Sequence, residues 1–288
     1  MDTLPLGSVW LTCQQPARQQ RHGRYLPETS LHPAKMLPAL AAHAITSYTR
    51  PGELVLDPMC GAGTTLVEAA YSGRHSIGVD IEPRFTALAR ANLRLAAGRA
   101  AAGRGRVVTG DATELPRLLS NQLRGQVALV LTSPPYGRGT HGVVRSQPGR
   151  GVRKRDHRYG PGRGGNLAYA GWDGLLAGFT RIMAGCHAML RPGGTLVVTC
   201  RPVRRRPGEL IDLPGQLLAC AISAGFQPVE RCAALLAAVR DGTIVHRANM
   251  FGLLAVRRAR AAGIPVALIA HEDVYILRRP ALPRVQAS

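Results

Sequence analysis

The chain has 288 residues, of which 45% are hydrophobic, so it can bury the core of one large domain or two small ones. No apolar run approaches the roughly 20 residues that span a bilayer, and no basic start followed by an apolar segment marks a secretory signal, so we expect a cytoplasmic protein without membrane contact. The formal net charge of +20, from 37 Lys and Arg against 17 Asp and Glu, favours a nucleic-acid partner.

The chain opens with a polar, irregular stretch over 1–31, which indicates an N-terminal arm ahead of one domain over 32–288. A spacing typical of a helix follows over 32–49. From residue 53 onward, short apolar runs alternate with helical patterns. The predicted strands are 53–57, 76–80, 106–111, 127–132 and 194–200, and the predicted helices are 64–73, 84–98, 114–123 and 175–190. This alternation predicts the α/β class, with a mostly parallel sheet and helices on both of its faces.

The end of the chain departs from that alternation. A helix is predicted over 210–225, followed by two strands, 226–239 and 266–279, which could pair antiparallel around a basic stretch at 240–262. A second basic segment, 137–165, is rich in glycine and indicates a cationic loop rather than a folded unit. The cations that we expect to contact nucleic acid are Arg138, Arg150, Arg153, Lys154, Arg155 and Arg158.

The cysteines and histidines indicate neither disulfides nor a metal. The six cysteines are scattered without a C-x-x-C pair, and the nine histidines show no ligand spacing. We therefore expect reduced thiols and no metal site. The sequence leaves the oligomeric state open.

A glycine-containing loop, "DPMCGAGTT" at 57–65, joins a predicted strand to a predicted helix. Small residues there let the backbone approach a ligand at the helix N-terminus. A dinucleotide fingerprint would need a third glycine where Leu66 stands, and the P-loop signature is absent, so NAD, FAD and nucleoside triphosphates are disfavoured.

Three consecutive predicted strands end in a carboxylate, at Asp57, Asp80 and Asp111. The carboxyl edge of an open α/β sheet is where ligands bind. An acid at the second strand suits the two hydroxyls of a ribose, and a cluster of acids suits a ligand with positive charge. The alternative is local structure, with Asp111 as a helix cap and Asp57 fixing a turn.

The fourth predicted strand stops at "TSPPY", residues 132–136. Prolines cannot continue a strand, so Pro134 and Pro135 form a rigid corner whose carbonyls are free to accept hydrogen bonds. With the hydroxyl of Ser133 and the flat face of Tyr136, this corner suits a planar heterocycle that carries an amino group. An ordinary proline turn is the alternative.

These motifs, "HPAKM", "DPMCGAGTT", "VDIEP", "GDATEL" and "TSPPYG", resemble in that order those of the amino-group DNA methyltransferases, which modify N4 of cytosine or N6 of adenine. The resemblance covers about residues 32–200 and implies a class I, Rossmann-like fold that uses S-adenosylmethionine. It implies that Ser133, Pro134, Pro135 and Tyr136 are catalytic, with Tyr136 stacking on a base turned out of its helix. The cofactor residues that it implies are His32, Pro33, Lys35, Asp57, Pro58, Cys60, Gly61, Gly63, Thr64, Asp80, Ile81, Asp111 and Ala112.

The target remains open at this stage. Ser133 is usual in the cytosine enzymes of the family, which favours DNA cytosine N4 over adenine N6. The stretch "DPMCGAGT…EAA" also looks like the tRNA guanine-N2 methyltransferases, and no large recognition region is evident, so RNA stays an alternative. A second alternative is an inactive, nucleic-acid-binding protein with a methylase fold, and a small-molecule amine substrate would leave the charge of +20 unexplained.

Overall fold

A central sheet of eight strands organises the chain in this computed structural model, which describes residues 7–136, 143–147, 151–155, 165–206, 208–247 and 250–281. The sheet has the order β1-β11-β14-β8-β5-β2-β3-β4. Its strands, in chain order, are β1 (Val9–Trp10), β2 (Leu54–Asp57), β3 (His75–Asp80), β4 (Gly105–Thr109), β5 (Val127–Thr132), β8 (Leu190–Cys200), β11 (Gln227–Leu235) and β14 (His271–Arg278).

Three two-stranded ribbons and the helices complete the described part of the chain. The ribbons pair β6 (Val143–Gln147) with β7 (Gly151–Arg155), β9 (Val203–Arg206) with β10 (Glu209–Ile211), and β12 (Ala237–Arg240) with β13 (Thr243–His246). The helices are α1 (Ala17–Arg21), α2 (Pro38–Tyr48), α3 (Thr64–Tyr71), α4 (Pro83–Ala97), α5 (Leu115–Leu118), α6 (Trp172–Met189), α7 (Leu213–Ser223) and α8 (Met250–Ala261).

The sheet is covered on both faces, as predicted. Alternate residues of β5 point into different core clusters, with Val130 packing beside Phe179 of α6 and Leu131 packing beside Ile45 of α2. A strand that is buried on both faces is continuously apolar, which is why β5 contains "VALVL" without a polar interruption.

The order of strands creates a crevice at the carboxyl edge. From β2 the chain builds outward through β3 and β4, then returns to place β5 on the other side of β2, with all these neighbours parallel. The crevice outside such a reversal point is where open α/β sheets bind ligands. The glycine loop after β2 and the proline corner after β5 therefore face each other across it.

The C-terminal strands pair antiparallel, which confirms that prediction. β11 pairs with β14, with Cys232 opposite Val274, and β14 pairs antiparallel with β8. The predicted strand over 226–239 is wrong in its extent, because a break at Leu236 divides it into β11 and β12. The predicted strand over 266–279 begins only at His271, and the basic stretch between them forms β12, β13 and α8.

The N-terminal arm is more ordered than expected, because β1, α1 and a 3-10 helix at Pro27–Leu31 lie within it, and the expectation of an irregular stretch is wrong for these three elements. Its strand β1 lies parallel to β11 as the eighth strand of the sheet, with Trp10 opposite Ala234. The Trp10 side chain is 2% exposed. The sequence does not reveal this strand, because only one of its two side chains faces the core and the residues around it are mostly polar.

Three further predicted elements differ in their bounds. The helix predicted from residue 32 begins at Pro38, the strand predicted over 106–111 ends at Thr109, and the helix predicted over 114–123 is reduced to α5 between two 3-10 turns. Ser120 interrupts that last helix, because its hydroxyl accepts a hydrogen bond from the Gln122 amide and starts a new turn there.

The basic segment 137–165 is only partly within the described residues. Its strands β6 and β7 pair antiparallel, with Val144 opposite Lys154, so the expectation of no folded unit is wrong for these ten residues. Arg153, Lys154 and Arg155 lie on β7. The predicted nucleic-acid contacts at Arg138, Arg150 and Arg158 lie outside the described residues.

Candidate active site

One cavity at the carboxyl edge of the sheet brings most of the predicted site together. The loop after β2 and the corner after β5 both line it, so Gly61 and Pro135 open onto the same space. The predicted residues that line it are His32, Lys35, Asp57, Pro58, Cys60, Gly61, Thr64, Asp80, Ile81, Asp111, Ala112, Ser133, Pro134, Pro135 and Tyr136. Pro33 and Gly63 are not among its lining residues.

Gly63 has a conformational role at the start of α3. Its φ is +85°, a conformation that L side chains rarely adopt, and a Cβ there would lie 3.0 Å from the Cβ of Ala89 on α4. The glycine therefore allows a sharp turn and a close approach of two helices, which a sequence pattern cannot distinguish from contact with a ligand.

The imidazole of His32 lies directly against Gly61. A Cβ on Gly61 would be 2.5 Å from His32 Nε2, and the Gly61 φ of +50° is itself in the left-handed region. His32 is 7% exposed and its ring centroid lies 4.2 Å from that of Phe85. Burial lowers the pKa of His32 to about 3, so the imidazole is neutral at physiological pH.

Asp80 fixes the backbone of the glycine loop. Its Oδ2 accepts a hydrogen bond from the Gly61 amide at 2.8 Å, and its Oδ1 accepts one from the Glu82 amide at 2.9 Å. Each carboxylate oxygen retains a second lone pair that can accept a ligand hydroxyl. Burial raises the pKa of Asp80 to about 6.

The Asp57 carboxylate is hydrogen-bonded to other groups of the protein. Its Oδ2 accepts a 2.6 Å hydrogen bond from the Thr65 hydroxyl, and its Oδ1 accepts one from the Met59 amide. The side chain is 4% exposed, and burial raises its pKa to about 6. The turn-fixing alternative therefore describes this residue, although it also lines the cavity.

Asp111 caps a turn and also lines the cavity, and its contact with a ligand stays a prediction. Its Oδ1 caps the following 3-10 turn by accepting hydrogen bonds from the Thr113 amide and hydroxyl. Its Oδ2 lies against Gly165, where a Cβ would be 2.6 Å from that oxygen. One carboxylate oxygen thus holds the turn, and the other faces the cavity wall.

Tyr136, the last residue of the corner after β5, is held by the core and by a backbone amide. Its ring packs against the core, and its hydroxyl accepts a 3.2 Å hydrogen bond from the Arg201 amide. Burial raises the Tyr136 pKa well above its usual value, so the hydroxyl stays protonated. Pro134 and Pro135 have no N–H, and with Ser133 they line the cavity as predicted.

Lys35 lines the cavity, and the arm residue Arg21 contacts Thr64, another of its lining residues. Lys35 Nζ donates to the carbonyl of Ser30 at 3.3 Å and to that of His32, and burial lowers its pKa to about 8. Arg21 donates to the Thr64 hydroxyl at 3.2 Å and to the Met36 carbonyl, which ties the arm to the first turn of α3.

Sequence reasoning missed a wall formed by residues 165–168. Asn166 donates a 2.7 Å hydrogen bond from its amide group to Glu82 Oε1, and both side chains are buried. Leu167 and Ala168 line the cavity beside them. A weak signal was present, since Asn166 is an Asx-type cap before a short turn, but nothing in the sequence pairs it with Glu82.

Comparisons with known proteins agree with this geometry. A family described as DNA methylase matches residues 2–91. Type II methyltransferase M.MjaII of Methanocaldococcus jannaschii is 35% identical over 66 residues, which are 22% of this chain and 12% of that protein. The resemblance to the amino-group DNA methyltransferases is confirmed. A tRNA (guanine(10)-N2)-dimethyltransferase of Methanothermobacter thermautotrophicus is also similar, with 33% identity over 107 residues, 37% of this chain and 29% of that protein.

Solved structures confirm the predicted fold. TrmN from Thermus thermophilus superposes with a TM-score of 0.52 at 20% identity, over 90% of this chain and 53% of that one. The chain has the class I, Rossmann-like methyltransferase fold with antiparallel C-terminal strands. It spans less than a third of the length of the curated relatives described above.

The cavity fits S-adenosylmethionine, the cofactor that the match to the DNA methylase family supports. Four carboxylates line it, those of Asp57, Asp80, Glu82 and Asp111, and such a set suits a ligand that carries a sulfonium and an ammonium group. A Cβ at Gly61 would meet the His32 imidazole, so the glycine lets the loop and His32 line the cavity side by side. The enclosed volume of the cavity is about 120 Å³. Typical ligand pockets have about 300–1,000 Å³, so bound S-adenosylmethionine would extend beyond the enclosed part of the cavity.

Within the described ranges, no helix is long and apolar enough to cross a membrane. In the same part of the chain, no group of three or more His, Cys, Asp or Glu side chains could hold a metal ion. The six cysteines are all free and buried.

Proposed function

We propose that the chain transfers a methyl group from S-adenosylmethionine to an exocyclic amino group of a nucleic-acid base, with cytosine N4 of DNA as the favoured target and adenine N6 as the next. One observation carries the proposal. The acid-lined loop after β2 and the proline corner after β5 share one cavity, so a methyl donor and an amine acceptor can meet there.

The amine is held by acceptors rather than attacked by a base. An exocyclic amino group is a weak nucleophile because its lone pair is delocalised into the ring. The Ser133 hydroxyl and the carbonyls of the proline corner can accept its two hydrogens, which turns the lone pair out of the ring plane. This is catalysis by positioning, and it requires no proton abstraction before transfer.

The cofactor is bound and oriented by the loop after β2. When bound, S-adenosylmethionine supplies an activated methyl group on a sulfonium. Asp80 would accept the ribose hydroxyls, Asp111 Oδ2 would lie near the adenine, and Gly61 lets the backbone approach. The wall at Asn166–Ala168 is buried and would exclude water from the reacting atoms.

Charge supports a nucleic-acid acceptor over a small amine. The chain carries +20 overall, while the cavity itself is lined by four acids and one lysine. A polyanion would therefore be attracted to the outside of the protein and a cation to its interior.

A second candidate function has a specific observation in its favour. The matches to tRNA guanine-N2 enzymes extend over 107 and 110 residues, against 66 and 77 for the type II DNA enzymes. Guanine N2 is also an exocyclic amine, so the same corner could hold it. An inactive methylase-fold protein is disfavoured, because both the loop and the corner are intact.

One experiment distinguishes these possibilities. The protein is incubated with tritiated S-adenosylmethionine and with duplex DNA, single-stranded DNA or total tRNA, and the digested nucleosides are separated. Labelled N4-methylcytosine or N6-methyladenine supports the proposal, and labelled N2-methylguanine supports the alternative. Absence of both transfer and cofactor binding would reject enzymatic function.

A matched pair of serine variants ties the activity to the corner. Ser133→Ala removes the hydroxyl acceptor and should lower the transfer rate by about 100-fold or more, because a misplaced acceptor loses alignment. Ser223→Ala removes an exposed hydroxyl at the end of α7 and should leave the rate unchanged. Cofactor binding should persist in both variants. Equal rates for the two would remove Ser133 from the mechanism.

A further inference from the structure

A second cleft lies beside the active site, between the arm and the segment that joins β11 to β14. We call the described residues of this segment, 236–247 and 250–270, the insert; a 2.7 Å hydrogen bond from the Leu236 amide to the Ala270 carbonyl closes its base. The cleft has a volume of about 630 Å³, within the range of ligand sites. Its walls include Cys13, Pro16 and Ala17 of the arm and Ala255, Val256 and Ala259 of α8.

The chemistry of the lining is apolar with a cationic rim. Leu236, Val266, Leu268 and Ile269 contribute aliphatic surface, and the basic lining residues are Arg201, Arg204, His246 and Arg247. No acidic side chain is among the described residues that line it. Small apolar side chains beside arginines suit a flat heterocycle attached to a phosphate, because arginine binds phosphate oxygens and stacks on planar rings.

The cleft is joined to the catalytic corner through one residue. The Arg201 backbone amide donates to the Tyr136 hydroxyl in the corner, while the Arg201 side chain lines the cleft. That side chain is held by an ion pair from Nε to Glu272 Oε1 at 3.0 Å, and Glu272 in turn accepts a hydrogen bond from Thr199. A nucleic acid strand that places a base at Tyr136 would therefore pass this cleft.

The arm and the insert are connected so that the cleft keeps its shape. Arg240 donates to the side chain and backbone oxygens of Gln14 at 2.6 and 2.7 Å, and Arg247 also donates to the Gln14 carbonyl. Thr12 bonds to the Leu235 carbonyl at 3.0 Å. Two segments that are more than 200 residues apart in sequence thus form one surface.

We propose that this cleft binds the nucleotide next to the one that is methylated, with its base against the aliphatic walls and its phosphate at Arg204 and Arg247. The inference rests on the proposed function and adds a recognition site to it. It also addresses the small size of the evident recognition region, since the arm and the insert together provide the surface that either segment alone lacks.

The test compares variants that change the cleft by charge and by shape. Arg204→Gln removes a rim cation, and Ala255→Phe fills the space from a helix position that is exposed. Arg94→Gln, on the exposed face of α4 beside the opposite edge of the sheet, removes the same charge elsewhere. Dissociation constants for fluorescent DNA and RNA oligonucleotides are measured by anisotropy at several salt concentrations.

We expect both cleft variants to weaken oligonucleotide binding by about tenfold, and Arg204→Gln to reduce the slope of log affinity against log salt by about 1. Arg94→Gln should stay within about twofold of the parent protein. The DNA and RNA arms show which nucleic acid the cleft takes. If both cleft variants bind as Arg94→Gln does, the assignment of the cleft is wrong.

The outcomes separate this inference from the proposed function. All three variants should keep the parent affinity for S-adenosylmethionine and the parent melting temperature, since none of these residues lines the first cavity. In steady-state assays, Arg204→Gln should raise KM for the nucleic acid without changing KM for the cofactor. If the cleft variants bind oligonucleotides normally and transfer still depends on Ser133, the cleft assignment is wrong and the proposed function stands. If the cleft variants weaken binding but no methyl transfer is found, the cleft assignment stands and the proposed function is wrong.

Discussion

Gly61→Ala is the sharpest test of how the glycine loop after β2 is built. The added Cβ would lie 2.5 Å from His32 Nε2, 3.0 Å from Cε1 and 3.2 Å from Cδ2, so the whole edge of the imidazole is in its way. The ring cannot simply rotate away, because His32 is 7% exposed and packs on Phe85 at 4.2 Å. The variant must therefore strain its backbone and also displace a buried ring.

The two contributions can be estimated separately. An alanine in the left-handed region costs about 1–2 kcal/mol relative to glycine, and overpacking a well-packed site costs about 1–3 kcal/mol. Their sum predicts that Gly61→Ala lowers the free energy of unfolding by about 2–5 kcal/mol. The Gly61 amide also anchors Asp80, so the affinity for S-adenosylmethionine should fall as well.

Gly52→Ala is the matched control. Gly52 has a φ of +81° and no atom within 4 Å of its Cβ position, so this variant has the backbone strain without the steric clash. Urea unfolding should place Gly52→Ala about 1–2 kcal/mol below the parent protein and Gly61→Ala clearly lower still. In a His32→Ala background the extra loss at Gly61 should shrink. Equal unfolding free energies for the two alanine variants would refute the packing of His32 on the loop.

The remaining predictions concern the arm and the cavity acids. Trp10→Ala should lower the unfolding free energy by about 3–5 kcal/mol, while Leu11→Ala at the neighbouring exposed position should stay within about 0.5 kcal/mol; similar urea midpoints would show that β1 is dispensable. Tyr25→Phe removes the 2.6 Å hydrogen bond to buried Glu68 and should cost about 1–3 kcal/mol, a loss that an unchanged melting curve would contradict. Because burial raises the Asp80 pKa to about 6, the carboxylate becomes protonated below that pH, so titration calorimetry should show weaker cofactor binding at pH 5.5 than at pH 7.5. Asp80→Asn should flatten that dependence, and a profile as steep as the parent's would assign it to another group.

The sequence was sufficient for the parts of the site that depend on strand ends. Parallel strands bring their carboxyl ends to one edge, so Asp57, Asp80 and Ser133 could be placed together from the chain order alone. The same reasoning could not say how each carboxylate is used. Asp57 is occupied by Thr65 and by the Met59 amide, and that depends on side-chain orientation rather than on motif.

Contacts between distant segments were beyond sequence reasoning. Asn166 reaches Glu82 across 84 positions, and Thr12 reaches Leu235 across 223. Such pairs follow from the packing of finished elements and leave no periodic pattern in the chain. The strand β1 was missed for a related reason, because two residues are too few to show the alternation that identifies a strand.

Under the proposed function, the distribution of charge lets one protein attract two substrates of opposite sign. Asp57 and Glu82 of the first cavity are 4% and 2% exposed, so the effect of these two acids is local and little screened by salt. In the second cleft, Arg204 is partly exposed and Arg247 is exposed. Their attraction for phosphate is therefore long-ranged and salt-dependent. A cation entering the first cavity and a polyanion on the outside therefore do not compete for the same groups. The Tyr136–Arg201 hydrogen bond lies where these two environments meet, and under the proposed function this is where a base would leave its strand to reach the methyl donor.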